Sequence, residues 1–315
     1  MISIGKVPGP EFSSTFMGLP VGRLDALTDQ IAIFGVPTAT PYASSGTHAA
    51  GGPAAIRRVM SRYAGSLDRY DFDLDGLLIP TGGRTAVDCG DIAVDAADFS
   101  ANRQRIADAV RCCRVQGGVP VLIGGDDSVP IPALNAYAGE PPITIVQIDA
   151  HIDWRHEVGG ETLGFSSTMR RASEMAHVRR IVQVGQRGIG SARPSDVVDA
   201  RAYGVRFVSA RHIHRDGSTT ALEALSDGGP VFVSFDIDAL DPAIAPGVIG
   251  RSPGGLTYDQ ALAILHGIAA RAPIVGFAIV ELAPDRDHAD LTALIAGRLV
   301  ANVIGILSRQ GVRSA

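Results

Sequence analysis

Four places in the chain set acidic residues immediately behind a short apolar run: Gly124-Gly125-Asp126-Asp127-Ser128, Asp149-Ala150-His151-Ile152-Asp153, Asp236-Ile237-Asp238 and Glu281. In extended backbone, residues i, i+2 and i+4 share a face, so Asp149, His151 and Asp153 can converge, as can Asp236 and Asp238. Carboxylates gathered in a dry cleft repel one another and hold protons unless cations compensate them, and carboxylate with imidazole suits divalent first-row metals. Two metal ions are the natural reading. A single Asp-x-His-x-Asp would more often be a capped turn with a hydrogen-bonded core histidine; four acidic strand ends together reverse that preference. An EF-hand does not explain Asp236 and Asp238, because its pattern needs an acid at 240, which is Leu, and Glu at 247, which is Gly. Gly124-Gly125 has neither the glycine spacing of a nucleotide-binding loop nor a following Lys.

The elements that must position these groups are legible as β-branched runs at 31–34, 121–123, 143–148, 181–184, 231–235 and 274–279. Between them lie windows with apolar residues at helical spacing, at 102–115, 258–270 and 290–304. Alternation of strand and helix implies crossover connections and a mostly parallel sheet covered on both faces. In such sheets ligands bind beyond the carboxyl ends of the strands, where the acids stand. With 315 residues, 46% of them hydrophobic and 19% charged, the chain can bury a full core, and no shift in composition divides it. One domain spanning 1–315 is expected, with 1–25 as a peripheral N-terminal segment.

A net charge of −5 provides no basic stripe for nucleic acid and no polybasic membrane patch. The stretch 31–56 lacks Asp, Glu, Lys and Arg, but its prolines and glycines make it a loop rather than a membrane span. Three cysteines, two of them adjacent (Cys112 and Cys113), form no disulfide framework, which together with the absence of a signal-like start points to the cytoplasm. Cys89, Cys112 and Cys113 read as core residues.

The three signatures, ending with Ser234-Phe235-Asp236-Ile237-Asp238-Ala239-Leu240-Asp241-Pro242, together resemble those of the arginase and agmatinase family, the ureohydrolases. Supporting matches run along most of the chain: Gly35-Val36-Pro37, Gly51-Gly52-Pro53 with Ile56-Arg57, Val87-Asp88-Cys89-Gly90-Asp91, Pro246-Gly247, Gly254-Gly255-Leu256-Thr257 and Val280-Glu281. The resemblance implies a single three-layer α/β/α domain of the arginase-like class with two bridged divalent metals, usually Mn2+. It implies hydrolysis of a guanidino group to urea and an amine. Carried over by position, Asp127, Asp149, Asp153 and Asp236 hold one metal, and His151, Asp149, Asp236 and Asp238 the other. Asp149 and Asp236 bridge, Asp153 also orients the attacking hydroxide, and Glu281 receives the guanidinium. Homotrimers or hexamers are likewise implied. An agmatine-like substrate is the expectation; a guanidino acid, a small substituted guanidine, or a weakly active subunit dependent on an active paralogue are its alternatives.

The chain departs from the family pattern twice. Asp127 stands where His usually follows Gly-Gly-Asp, which leaves five negative ligands against four positive charges instead of four against four. A more anionic site is expected to favour manganese over softer ions and to attract a cationic substrate. In the loop after Asp153, aligning Met169-Arg170-Arg171-Ala172 with the family's Arg-containing helix puts Phe165-Ser166-Ser167 where His-Gly-Thr usually stands. Phe165 and Ser166, with Trp154, are candidate substrate contacts, and His156 is the candidate proton shuttle in place of the missing histidine. His48 and Arg57 are candidates for the pocket rim, and Arg187 for the cleft or a neighbouring subunit.

Overall fold

In the computed structural model of the protein, the described residues are 15–310 apart from 191, 224, 226 and 227. In chain order the elements are β1 (Ile31–Val36), α1 (Gly52–Met60), β2 (Tyr70–Asp71), β3 (Gly76–Leu77), β4 (Ala86–Asp91), α2 (Phe99–Val115), β5 (Val119–Gly124), α3 (Pro130–Asn135) and β6 (Ile143–Ile148). There follow α4 (Thr168–Ser173), β7 (Val178–Val184), α5 (Pro194–Tyr203), β8 (Arg206–Val208), α6 (Ala210–Asp216), β9 (Val231–Asp236), α7 (Tyr258–Ala269), β10 (Ile274–Val280) and α8 (Leu291–Gln310). Eight strands form one sheet in the order β4-β1-β5-β10-β9-β6-β7-β8, every pair parallel, while β2 and β3 make a small antiparallel ribbon.

Strands β1, β5, β6 and β9 are buried at every position, and β10 at all but Val275. That is what a sheet covered on both faces requires, and it explains why these runs are apolar throughout instead of alternating. Ile31, Ile33, Val121 and Ile123 face the core beneath α1, α7 and α8. Ala32, Phe34 and Leu122 face the opposite core, beneath α2, α3, α4 and α5. The expected three-layer α/β/α domain is therefore present. The aromatic side chains Phe232 and Phe235, one for each face, are fully buried, and truncating either to Ala costs roughly 3–5 kcal/mol. α7 begins with a reciprocal cap in which Thr257 and Gln260 each bond the other's backbone N–H. α8 is long and apolar enough to cross a membrane, but 78% of its most apolar 18-residue window is buried inside the domain, so it is a core helix.

Strand register does the decisive positioning. Ile123, Ile279, Phe235 and Ile148 lie level across β5, β10, β9 and β6. These are four adjacent strands, and the residues just beyond them are the four acidic motifs. Segments separated by as many as 154 positions in sequence thus end side by side.

Several expectations change. The stretch 31–56 is not a loop throughout: it opens as β1, and its end forms the first turns of α1. Its lack of charge reflects burial of β1 against both cores. Of the segment 1–25, residues 1–14 lie outside the described residues. The described part is not peripheral at Phe16, Met17 and Leu19, which are buried in the core beneath α1, with Phe16 N–H donating to Asp88 at 2.7 Å. Two strands carried little apolar signal: β4, whose sequence AVDCGD is half polar, and the three-residue edge strand β8.

Candidate metal centre and substrate pocket

A cavity of about 220 Å³ opens at the carboxyl ends of the central strands, its floor formed by Asp127, His151, Asp153, Asp236, Asp238 and Glu281. Asp149 lies beneath them, fully buried. Two trios offer ligand atoms within 4.8 Å of one another, Asp127-Asp149-Asp153 and Asp149-His151-Asp238, and Asp149 is common to both. Asp236 stands on the same floor without joining either trio.

Each acid is aimed by its backbone. Asp149 follows β6, and its Oδ1 accepts the N–H of His151 at 2.6 Å. Asp236 ends β9 and caps a short turn, accepting the N–H of Asp238 at 2.7 Å. Asp238 in turn accepts Ala150 N–H at 3.2 Å and lies 3.0 Å from His151 Nδ1, tying two strand ends together. Asp126 faces away from the cavity; it accepts the Thr38 hydroxyl at 2.7 Å and shapes the turn that presents Asp127. Asp153 and Glu281 occupy left-handed backbone at φ 42° and 69°. Such conformations cost a non-glycine residue energy and concentrate at functional sites.

The electrostatics are those of an uncompensated anion cluster. Burial, then repulsion from Asp153, Asp149 and Glu281, pushes the Asp127 carboxyl well above the usual range. Burial followed by neighbouring carboxylates raises Asp149, Asp153 and Asp236 likewise. For Asp238 desolvation is outweighed by the bond to His151, and its carboxyl sits below the usual range. Both oxygens of Asp127 are buried and without a hydrogen-bond partner. A buried carboxylate left this way costs several kcal/mol unless a cation meets it. Over His151 and Asp238, Gly250 leaves open the space that a Cβ would occupy, 3.0 Å from His151 Cε1 and 3.2 Å from Asp238 Oδ2. Orphaned oxygens, hard donors and room above them fit divalent cations.

Glu281 has both oxygens placed. Oε1 accepts Asp127 N–H at 2.9 Å, and Oε2 lies 2.7 Å from His48 Nε2. Burial raises the Glu281 carboxyl, against the opposing pull of His48. Phe165 and Ser166 line the cavity, as does Trp154, which is also 5.9 Å from the Tyr203 ring. Phe165 packs on Tyr42 at 4.3 Å and meets the edge of His48 at 5.6 Å.

Three expectations fail on geometry. His156 does not line the cavity: it is exposed, 3.4 Å from Arg171 Nη2, because the chain turns outward after Arg155. Arg57 is not at the rim but buried under β1 and β4, paired with Asp88 and Asp91. Arg187 does not line the cavity; its guanidinium donates to the carbonyls of Gly185, Asp238, Ala239, Leu240 and Ser252 and so braces the turn carrying Asp238. Cys113 is a core residue of α2 as expected, while Cys112 beside it is only half-buried, its thiol donating to Leu24 O at 3.3 Å; burial pushes both thiols up.

Sequence reasoning missed three supports. Gln147 donates through Nε2 to Asp149 Oδ2 at 2.7 Å and Asp153 Oδ2 at 2.6 Å. Gln183, on β7, donates to Gln147 Oε1 and to Ile152 O. The signal was available: a glutamine inside each of the buried runs 145–148 and 181–184, apolar at every other position, needs a polar partner. The third is Arg155, which lines the cavity beside Trp154.

The model of the arginase family matches residues 29–305. Guanidinopropionase of Pseudomonas aeruginosa is 32% identical over 319 aligned residues, covering 95% of each chain. The mitochondrial agmatinase of Gallus gallus is 32% identical over 94% of this chain and 88% of its own length. Among solved structures, proclavaminate amidino hydrolase from Streptomyces clavuligerus superposes with a TM-score of 0.78 at 28% identity, over 96% of this chain and 98% of that one.

Proposed function

This chain belongs to the arginase family and is a hydrolase of amidino C–N bonds in guanidino compounds, and from that premise we propose that it cleaves a small guanidino compound to urea and an amine at a centre for two divalent ions. The observation that carries the proposal is the pair of ligand trios sharing Asp149 on the cavity floor, with Asp127 otherwise unpartnered. Asp127, Asp149, Asp153 and Asp236 would hold one ion, and His151, Asp149, Asp236 and Asp238 the other. Five hard carboxylates outnumber the one borderline imidazole, which favours manganese. When bound, two such ions supply Lewis acidity that makes water a competent nucleophile near neutral pH.

The chain's own residues do the rest. Glu281 accepts the guanidinium N–H groups, and its two oxygens are fixed in advance by Asp127 N–H and His48, so little freedom is lost on binding. Gln147 holds Asp149 and Asp153 in one orientation. Trp154 and Phe165 wall the cavity and thin the water around the amidino carbon. Water adds its oxygen to that carbon, the bond to the substituted nitrogen breaks, and that nitrogen leaves as an ammonium group carrying both protons that water gives up, while the carbon keeps the oxygen as urea.

The test is urea release by manganese-loaded protein from agmatine, guanidinobutyrate, guanidinopropionate, arginine and small alkylguanidines, with metal counted per chain. Two metals and urea from one class are expected. Two metals without urea from any overturns the activity; no bound metal overturns the centre; activity with nickel and none with manganese overturns the metal identity.

A further inference from the structure

Cleavage of the C–N bond makes a demand that the cavity floor does not meet. The substituted nitrogen is a poor leaving group until it is protonated, so an acid must stand within reach of the bound guanidinium. Among the described residues that line the cavity, the floor groups other than Glu281 are the metal donors proposed above, and Arg155 never gives up its proton. The titratable side chain that meets Glu281 is His48, its Nε2 2.7 Å from Glu281 Oε2.

His48 belongs to the segment between β1 and α1, far in sequence from all four acidic motifs. Its side chain is 8% exposed, and two contacts set the ring. Glu281 meets Nε2, and Phe165 lies edge-on with centroids 5.6 Å apart, itself packed on Tyr42 at 4.3 Å. The ring also helps to line a second cavity, of about 380 Å³, together with Ser44, Ser45, Ala283 and Ile249, and Ile249 belongs to both cavities. The imidazole thus meets the guanidinium-binding carboxylate on one side and a separate opening on the other. Asp285 and Arg286, the charged residues of that second cavity, are exposed, and neither hydrogen-bonds to the ring among the described contacts. Desolvation of the imidazole is outweighed by Glu281, with Asp126 behind it and the Gly46 backbone adding to the same effect, so the ring is held above its ordinary range. That widens the pH interval over which it carries a proton to give.

We infer that His48 is the general acid that protonates the leaving nitrogen, with the second cavity as the route by which its proton is replaced. The inference rests on the hydrolase reading and supplies the proton donor which that reading leaves unnamed, from a loop other than the one carrying His156. A guanidinium N–H and the imidazole Nε2–H converge on one carboxylate, which sets the acid beside the nitrogen it must serve. As that nitrogen turns pyramidal, the imidazolium gives it the Nε2 proton, and the electron pair of the breaking C–N bond goes to nitrogen. The added hydroxyl gives its own proton to the same nitrogen as the carbon–oxygen bond closes to urea. The imidazole takes up the proton that water released on attack, so the ring ends charged as it began, and both protons gained by the amine come from water.

The experiment separates proton donation from mere positioning of Glu281. His48→Gln keeps an Nε2–H for the carboxylate but cannot give it up, whereas His48→Ala removes both functions. With the alkyl compound that the manganese-loaded protein cleaves fastest, His48→Gln should lower kcat roughly 10²- to 10³-fold while KM changes little and metal content per chain stays at its wild-type value. With an arylguanidine, whose aniline is a weak base and departs with little help, the same substitution should cost less than about tenfold. Imidazole added to His48→Ala should restore part of the alkyl rate, because the second cavity leads to the vacated position. In the wild type, kcat for the alkyl compound should fall as rising pH deprotonates the acid, while kcat for the arylguanidine does not follow it; this profile decides if the variants fail to fold or lose metal. Wild-type kcat in His48→Gln, equal losses for the two leaving groups, or the same pH profile for both in the wild type makes His48 a positioning residue only and overturns the inference while the hydrolase reading stands. Urea from none of the compounds by protein holding two metals overturns that reading and this inference with it.

Discussion

Two buried acidic clusters lie at strand ends in this domain, and they differ in who completes them. At the β4–β1 edge, Asp88 is fully buried and fully answered: Arg57 pairs with it through Nε and Nη2 at 2.8 and 2.9 Å, and the N–H groups of Phe16 and Gly90 supply two further bonds. Desolvation of Arg57 is outweighed by Asp88 and Asp91, and its guanidinium is held above its ordinary range. At the carboxyl ends of β5, β10, β9 and β6 the opposite holds. Five aspartates and a glutamate face one imidazole of their own, His151, and a second, His48, at the edge; both oxygens of Asp127 have no partner. Burial of acid alone is thus no mark of function. What separates a structural knot from a working site is whether the protein's own donors exhaust the carboxylates.

That contrast can be broken experimentally. The largest effect is expected at the shared ligand: Asp149→Ala should lose bound metal and lower urea release by roughly 10³-fold or more, read by metal content per chain and by turnover. Metal retained at two per chain would show that the trios do not hold it. At the other cluster, Arg57→Met strands a buried Asp88 and should cost about 3–5 kcal/mol in denaturant unfolding while leaving metal stoichiometry at its wild-type value. A loss of metal in that variant would mean the two clusters are one unit.

Chelation separates them from the other side. If ions complete only the central cluster, removing metal should lower stability by about 3 kcal/mol for each ion that had stood a hundredfold above its dissociation constant. The decrement should be the same in Arg57→Met, since distant sites add. Gln147→Leu should weaken metal affinity roughly 10- to 100-fold by releasing Asp149 and Asp153; unchanged affinity would make Gln147 a strand residue only. The smallest effect belongs to His156→Ala, expected within about 0.5 kcal/mol of wild type in stability and with turnover unchanged, because its ring lies outside the cavity. A large fall in turnover there would return it to the mechanism.

How far the sequence could be read follows from the range of the interactions involved. The runs that became β5, β6, β9 and β10 were legible because strands covered on both faces are apolar throughout. The acids behind them were legible because the end of an apolar run marks the site-bearing end of such a strand. β4 escaped because its sequence is half polar, Asp88 being buried only by virtue of Arg57, which is 31 positions away. His156 misled because a histidine near a motif in sequence need not face it; the histidine that meets Glu281 is His48, 233 positions distant.

By itself, then, the amino-acid order determined the alternating architecture, the ligand types and their two-residue spacing, because strand periodicity and donor chemistry are local properties. Tertiary structure alone decided which acids stand together, which cation answers which carboxylate, and that Arg155 instead of His156 reaches the cavity. The reason is geometric. The parallel register that sets Ile123, Ile279, Phe235 and Ile148 level comes from packing helices on both faces of a twisted sheet, and no residue in any one segment encodes it.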